Sequence, residues 1–274
     1  MTLDIGIVQT TTGIAPAAEA ESLCAAIAQL AGEGAQLVFT PEMSGLLDRN
    51  RKRAAQSIRA EADDPVLAAV QEAAARHGTW VQLGSLALAG NDGRFVNRGF
   101  LIDASGAIRA RYDKIHLFDV TLPNGDIYHE SAAYDGGTEA VAVQTPWGGL
   151  GMTICYDVRF PALHATLARA GADILAVPAA FTQPTGAAHW HVLLRARAIE
   201  TGCFVVAAAQ TGNHADGRGT YGHSLVISPW GEVLLDMGEA PGTALLRIDL
   251  AAVAEARGRI PALANARPFS MGAA

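Results

Sequence analysis

One stretch of the sequence decides the fold: Gly149-Leu150-Gly151-Met152-Thr153-Ile154-Cys155-Tyr156-Asp157-Val158-Arg159-Phe160-Pro161. It begins as a short apolar strand, Leu150 to Ile154, which stops at a cysteine. Pro161 then opens a helical pattern that runs to Ala170, because proline has no N–H to lose in a first helical turn. The turn after a buried strand is where open α/β folds place reactive groups. We therefore expect Cys155 to be a nucleophile; the alternative is a cysteine buried only for packing.

The composition is that of a globular protein. Of 274 residues, 50% are apolar and 17% are charged. A chain of this length with this apolar fraction can bury a sizeable core. The net charge is −7 and is spread along the chain, so neither nucleic acid nor an anionic membrane is expected as a partner. The run Arg49-Asn50-Arg51-Lys52-Arg53 is the one basic cluster. We interpret it as a solvated loop or helix face rather than a phosphate site.

Cysteine usage and the N-terminus indicate a reducing compartment. Cysteines stand at positions 24, 155 and 203 without a Cys-x-x-Cys pair, so neither a disulfide framework nor a zinc ribbon is indicated. The N-terminus lacks a charged leader region, and no apolar run approaches the ~20 residues needed to cross a bilayer. We expect a cytoplasmic protein in which thiol chemistry is viable.

Strands alternate with helices along the chain, and several hairpins interrupt the alternation. Leu37–Phe39 is a strand, and the pair Trp80–Leu88 and Arg94–Ile102 forms a hairpin. This order predicts an α/β fold with mixed sheets and outer helices, in a single domain over residues 1–274. A polar loop from Thr121 to Gly137, which includes Pro123, is long enough to be functional. A later helix is expected from about Ala188 to Thr201.

Three further residues have positions that suit catalysis. Glu42 follows a buried strand directly, where partial desolvation raises the pKa of a carboxyl group and suits it to proton transfer. Lys114, between apolar residues, offers a fixed positive charge for an oxyanion. Glu130 lies on the long loop. Taken singly, each is also explained as a surface residue, and spacing alone leaves a Cys–His protease open, since a thiol needs only a nearby base.

The sequence resembles the nitrilase superfamily of carbon–nitrogen hydrolases over nearly its whole length. Ordered motifs carry the resemblance, and together they are far more specific than any one alone. They are Leu37-Val-Phe-Thr-Pro-Glu42, Tyr112-Asp-Lys114-Ile-His-Leu-Phe-Asp-Val120, Gly151-Met-Thr-Ile-Cys155-Tyr-Asp-Val-Arg-Phe-Pro161, Ala188-His-Trp190, Arg195-Ala-Arg-Ala-Ile-Glu200 and Tyr221-Gly-His-Ser-Leu-Val-Ile-Ser-Pro-Trp-Gly-Glu232.

The resemblance implies a catalytic triad of Glu42, Lys114 and Cys155, with Glu130 as a second glutamate. It implies a four-layer α-β-β-α sandwich with two mixed sheets, and homodimers or larger assemblies. In the implied reaction Glu42 takes the thiol proton, Cys155 attacks an amide carbon, and Lys114 with the N–H of Tyr156 holds the oxyanion. A thioester forms and is hydrolysed. No metal and no organic cofactor is required.

Within the superfamily the chain looks most like the branch that contains deaminated glutathione amidases and ω-amidases. Such amides carry a free carboxylate, so Arg159 is a candidate partner for it, with Tyr156 and Phe181 as candidate pocket residues. An interface ion pair for Arg159, and core packing for the two aromatic residues, are equally good interpretations. His191 departs from the pattern of relatives, which often have Glu there, and it leaves the specificity open.

Rival functions have weaker support. Gly222-His-Ser-Leu-Val226 does not match the Gly-x-Ser-x-Gly pattern of serine hydrolases, and the His-Glu-x-x-His spacing of a metal hydrolase is absent. A non-catalytic binding or scaffold protein is disfavoured by the intact Glu42, Lys114 and Cys155. Nitrile hydrolysis uses the same triad, so the residues alone do not separate it from amide hydrolysis.

Overall fold

The computed structural model describes residues 1–122 and 125–272, in which strands and helices alternate. The strands of the first half are β1 (Thr2–Gln9), β2 (Leu37–Phe39), β3 (Trp80–Ala89), β4 (Phe95–Ile102), β5 (Ile108–Asp113), β6 (Asp119–Thr121), β7 (Ile127–His129) and β8 (Tyr134–Asp135). Those of the second half are β9 (Val141–Gln144), β10 (Gly149–Met152), β11 (Ala172–Ala176), β12 (Phe204–Ala207), β13 (Thr211–Asn213), β14 (Gly219–Tyr221), β15 (Leu225–Ile227), β16 (Val233–Asp236) and β17 (Gly242–Asp249). The α-helices are α1 (Pro16–Gly32), α2 (Arg51–Ser57), α3 (Pro65–His77), α4 (Pro161–Arg169), α5 (Gln183–Thr201), α6 (Ala251–Arg259) and α7 (Ala262–Asn265).

Two mixed sheets form the centre of the molecule. The first has the strand order β17-β1-β2-β3-β4-β5, with β8 paired to β4, and the second has the order β16-β15-β12-β11-β10-β9. In each sheet three neighbouring strands are parallel, β1-β2-β3 in the first and β10-β11-β12 in the second, and the outer pairings on this path are antiparallel. The two halves therefore share an arrangement of three parallel strands with antiparallel strands on either side.

Helices cover the outer faces of both sheets. Ile5, Ile7 and Phe39 of the first sheet pack with Leu150 and Ile174 of the second in one core between the sheets. A second core joins the other face of the first sheet to α1 and α3. Apolar side chains of α4 and α5 pack on the second sheet. These are the four layers of the predicted α-β-β-α sandwich. In residues 1–122 and 125–272, no helix combines the length and apolar character that crossing a bilayer requires.

The predicted elements are mostly present, with two corrections. The hairpin of β3 and β4 is confirmed. Helix α3 begins at Pro65, with Asp64 as its N-cap. The helix expected from Ala188 begins earlier, at Gln183, because Pro184 is tolerated in a first helical turn. The segment from Thr121 to Gly137 is not a plain loop: β6 pairs with β7, a single turn of 3₁₀-helix follows, and β8 joins the first sheet. Pro123 lies outside the described residues.

The ends of four strands meet at one edge of the sandwich. Glu42 follows β2, Lys114 follows β5, Cys155 follows β10 and Ala180 follows β11. Gly84 in β3 lets the backbone that follows β2 pack closely against β3. A Cβ at position 84 would lie 2.2 Å from the carbonyl oxygens of residues 40 and 41, which is a steric clash. The fold thus brings together groups that are far apart in sequence.

Candidate active site

Cys155 occupies a sharp turn with an unusual backbone conformation. Strand β10 ends at Met152, and Cys155 begins a short 3₁₀-helix, Cys155–Arg159. Its φ is +50°, which is uncommon for a residue other than glycine, and its N–H donates to the carbonyl of Pro178 at 2.8 Å. Such conformations persist only where the surroundings enforce them, and they concentrate at functional sites.

Asp157 is the group that enforces this turn. Its carboxylate is fully buried. One oxygen accepts from the Tyr112 hydroxyl at 2.6 Å and the Ile154 N–H at 2.8 Å. The other accepts from the His116 N–H at 3.1 Å and lies 2.7 Å from His116 Nδ1. A buried carboxylate with this many partners fixes the segment on both sides of Cys155.

Glu42 lies beside Cys155 and is 4% exposed. Its Oε1 accepts from Lys114 Nζ and from Asn97 Nδ2, each at 2.9 Å, and its Oε2 accepts from the Ala180 N–H at 2.8 Å. The Cys155 side chain lies close enough to this carboxylate for each group to shift the pKa of the other. This proximity places a carboxylate near the thiol proton, as general base catalysis requires.

Lys114 connects the two glutamates. Besides Glu42, its ammonium contacts both oxygens of Glu130, at 3.1 and 2.9 Å. Glu130 begins the 3₁₀ turn after β7 and also accepts from the Phe118 N–H at 2.7 Å. The structure therefore brings together Glu42, Lys114, Cys155 and Glu130, the four residues that the sequence singled out as catalytic.

The charges of this cluster are set by burial and by Lys114. Burial raises the pKa of the Glu42 carboxyl, but the ammonium and the hydrogen bonds outweigh it, so that this pKa lies below its usual range. Burial opposes the charge of Lys114, yet Glu130 and Glu42 hold its pKa well above the usual range. Burial and the charge of Glu42 raise the pKa of the Cys155 thiol. The resting site is thus a thiol beside a carboxylate and an ammonium.

A cavity of about 700 Å³ opens onto this cluster. Glu42, Lys114, Glu130 and Cys155 all line it, together with Phe118 and Ala180. Its outer part is lined by charged residues, namely Asp48, Arg49, Arg51, Arg53, Asp126, Asp216 and Arg218. The basic run at 49–53 does lie on exposed loop and helix, as expected, but the same arginines face the cavity.

The three predicted substrate-binding residues lie next to this cavity, although none is among its lining residues. The Arg159 guanidinium lies over the rings of Tyr156 and Phe181, 5.9 and 5.4 Å from their centroids, and is 3.3 Å from His189 Nδ1. Tyr156 packs edge-on against Phe118 at 5.1 Å. The three form one group that contacts the cavity lining through Phe118.

His191 lies apart from the cavity lining. Its Nε2 is 3.0 Å from one oxygen of Asp236, and His223 Nδ1 is 2.8 Å from the other. The ligand-type atoms of these three residues lie within 4.8 Å of one another. They have the composition of a metal site, but their polar atoms already bond to each other.

Two residues of the site, Asn97 and Gln210, were not predicted from the sequence. Asn97 donates to Glu42 and, at 3.3 Å, to Glu130. Gln210 donates to the backbone carbonyl of Glu42 at 2.9 Å. For Asn97 the available signal was an asparagine inside a predicted strand, because asparagine is depleted in strands.

Known proteins resemble this chain over most of its length. The family model described as carbon-nitrogen hydrolase matches residues 5–258. Deaminated glutathione amidase of Yersinia enterocolitica is 41% identical over 239 residues, covering 85% of this chain and 82% of that protein.

Solved structures show the same relationship. The C. elegans NitFhit protein superposes with a TM-score of 0.90 at 36% identity, covering 97% of this chain and 65% of that chain. An amidase from Nesterenkonia sp. AN1, whose active-site cysteine had undergone Michael addition of acrylamide, superposes with a TM-score of 0.79 at 25% identity, covering 94% of this chain and 98% of that one. The chain belongs to the carbon–nitrogen hydrolase family of the nitrilase superfamily and is a carbon–nitrogen hydrolase.

Proposed function

We propose that this enzyme hydrolyses the amide bond of deaminated glutathione, with Cys155 as nucleophile. The observation that carries the proposal is the grouping of Cys155 with the Glu42 carboxylate, which Lys114 holds at 2.9 Å, in the lining of one cavity. The 41% identity to a deaminated glutathione amidase supports the choice of substrate.

The first step is the attack of Cys155 on the amide carbon. Glu42 takes the thiol proton, and the sulfur forms a bond to the carbonyl carbon. Since the pKa of the thiol is raised and that of Glu42 is lowered, proton transfer is unfavourable at rest and must accompany the attack. The protein therefore needs strong stabilisation of the negative charge that develops on the substrate oxygen.

Lys114 and the Tyr156 N–H supply that stabilisation. Lys114 stays charged, because two carboxylates raise its pKa. The N–H of Tyr156 lies in the first turn of the 3₁₀-helix, where N–H groups have no partner within a helix. One donor of this kind is typically worth about 10²–10³ in rate.

The tetrahedral intermediate then breaks its C–N bond. Glu42 gives its proton to the leaving nitrogen, cysteinylglycine departs, and the 2-oxoglutaryl group remains on Cys155 as a thioester. In the second half, Glu42 removes a proton from a water molecule, which attacks the thioester and restores the thiol. Glu130 holds Lys114 in place throughout.

The test compares substrates and one variant. Purified protein is incubated with deaminated glutathione, and cysteinylglycine is measured; ammonia is measured with α-ketoglutaramate as the ω-amidase substrate. Faster turnover of deaminated glutathione, lost in Cys155→Ala, is expected. Faster turnover of α-ketoglutaramate would make the enzyme an ω-amidase, and turnover only of nitriles would overturn the amide assignment.

We also propose that the chain acts as a single domain in a homodimer or larger assembly in the cytoplasm. Exposed apolar side chains of α5, Val192 and Ile199, support self-association, and Trp230 adds another exposed ring. The free cysteines suit a reducing compartment. Light scattering after size exclusion gives the mass in solution, and a monomer at micromolar concentration would contradict the assembly.

A further inference from the structure

The outer wall of the cavity contains hydrogen-bonding groups that have no partner among the residues that the structure describes. We propose that Arg218 and Tyr134 form a subsite for a carboxylate of the substrate. This proposal rests on the proposed function, because it assigns the part of the cavity that would receive one of the two carboxylates of deaminated glutathione.

The Arg218 guanidinium is anchored through Nε, whereas its two terminal nitrogens have no hydrogen-bond partner among the described residues. Its Nε donates to Asp216 at 2.6 Å, and the Asp216 carboxylate, which is completely buried, also accepts from the N–H groups of Arg49 and Arg218. Neither terminal nitrogen of Arg218 makes a hydrogen bond to any residue in the ranges 1–122 and 125–272. Its side chain is 22% exposed, and it lines the cavity.

A guanidinium fixed in this way is suited to carboxylate recognition. Its planar N–H donors match the two oxygens of a carboxylate. Because the buried aspartate already restricts the conformations of the Arg218 side chain, binding costs less conformational entropy. Because Asp216 neutralises part of the charge, a further cation is needed for a strong anion site. Arg49 lines the same cavity, and its guanidinium makes no hydrogen bond or ion pair within the described part of the chain.

Tyr134 connects this group to the catalytic cluster. It lines the cavity, and its hydroxyl has no hydrogen-bond partner among the residues that the structure describes. Burial raises the pKa of the phenol, as does the charge of Glu130, whereas Arg218 and Lys114 oppose the rise. The hydroxyl therefore stays protonated and lies within the electrostatic influence of both the arginine and the catalytic groups. A protonated phenol between them has a donor available for a ligand oxygen.

The geometry separates this subsite from the group of Arg159. Arg159 packs on Tyr156, which contacts the lining residue Phe118, and is not itself a lining residue, whereas Arg218 lines the cavity directly. Of the two arginines, only Arg218 is a lining residue of this cavity, so it is the one placed to meet a substrate carboxylate there. Substrates with a second carboxylate beyond the amide are then preferred over those with only one.

The experiment compares deaminated glutathione with its dimethyl ester, which keeps the amide but has no free carboxylate. In Arg218→Gln, KM for the diacid is expected to rise roughly 10- to 100-fold more than KM for the diester, which is the range for a hydrogen bond to a charged group. Tyr134→Phe should give a smaller rise of the same kind. Arg76→Gln, an exposed arginine of α3 paired with Glu72, is the matched control and should leave both KM values within about twofold of wild type.

A direct binding measurement makes the test independent of turnover. Glutarate is titrated calorimetrically into Cys155→Ala, alone and combined with Arg218→Gln or Arg218→Lys. Loss of glutarate binding with Gln and partial retention with Lys support the subsite. Equal rises in KM for diacid and diester, or unchanged glutarate binding, would overturn it. No turnover of either substrate by the wild type, together with glutarate binding that depends on Arg218, would overturn the proposed substrate and support the subsite.

Discussion

The two ends of the cavity differ in how completely their polar groups are bonded. At the inner end, Glu42 and Lys114 are buried and Glu130 is partly buried. Both glutamates accept from Lys114, from Asn97 and from backbone N–H groups. At the outer wall, the terminal nitrogens of Arg218 and the hydroxyl of Tyr134 have no partner among the described residues. The difference suggests that the protein alone fixes the reacting groups, whereas the recognition groups are completed by the substrate.

Loss of the nucleophile should have the largest effect. Cys155→Ala is expected to reduce kcat by about 10⁴-fold or more, because covalent catalysis disappears while the rest of the cluster remains. Cys203→Ala is the matched control, since Cys203 is also buried but lies just before β12 and donates to the Ala172 carbonyl. Equal losses in the two variants, measured as product release at saturating substrate, would show a general effect of removing a buried thiol.

Glu130→Gln should come next, with kcat lower by roughly 10²-fold. The variant keeps the shape of the side chain but removes one of the two charges that hold the Lys114 ammonium in place. Glu139→Gln, which changes an exposed acid, serves as control. A Glu130→Gln enzyme with wild-type kcat would mean that Glu42 alone positions the lysine.

Asn97→Ala should change the pH dependence as well as the rate. Asn97 donates to Glu42 and helps to lower its pKa, so its removal raises that pKa toward the ordinary range. A base with a higher pKa is protonated at higher pH, and the acid limb of kcat/KM therefore moves to higher pH. The lost charged hydrogen bond should also reduce kcat roughly 10-fold or more. An acid limb of the kcat/KM profile that stays in place, or moves to lower pH, would contradict the proposal that Asn97 lowers the pKa of Glu42.

Arg159→Gln should have the smallest effect. Its guanidinium contacts rings and His189 outside the cavity lining, so KM for deaminated glutathione is expected to rise only about 3- to 10-fold, less than in Arg218→Gln. Parallel saturation curves for the two variants provide the comparison. A larger rise in the Arg159 variant would place the main carboxylate contact on that side.

The sequence predicted the inner end of the cavity better than the outer wall. Cys155 and Glu42 follow buried strands in ordered motifs, and local patterns of this kind identify strand ends directly. Asn97 was missed because only the pairing of β4 shows that its amide faces two glutamates. Arg218 and Tyr134 carry no local pattern: their roles depend on an ion pair with a buried aspartate and on a cavity formed by distant segments.

The most direct test of the proposed mechanism is to trap the thioester on Cys155. The enzyme is mixed with deaminated glutathione, quenched in acid during turnover, and analysed by intact-protein and peptide mass spectrometry. The proposed mechanism predicts that the enzyme gains the mass of a 2-oxoglutaryl group, located on the peptide that contains Cys155. The Cys155→Ala variant should show no such mass increase. Full turnover with no adduct on Cys155, and undiminished turnover in Cys155→Ala, would contradict it.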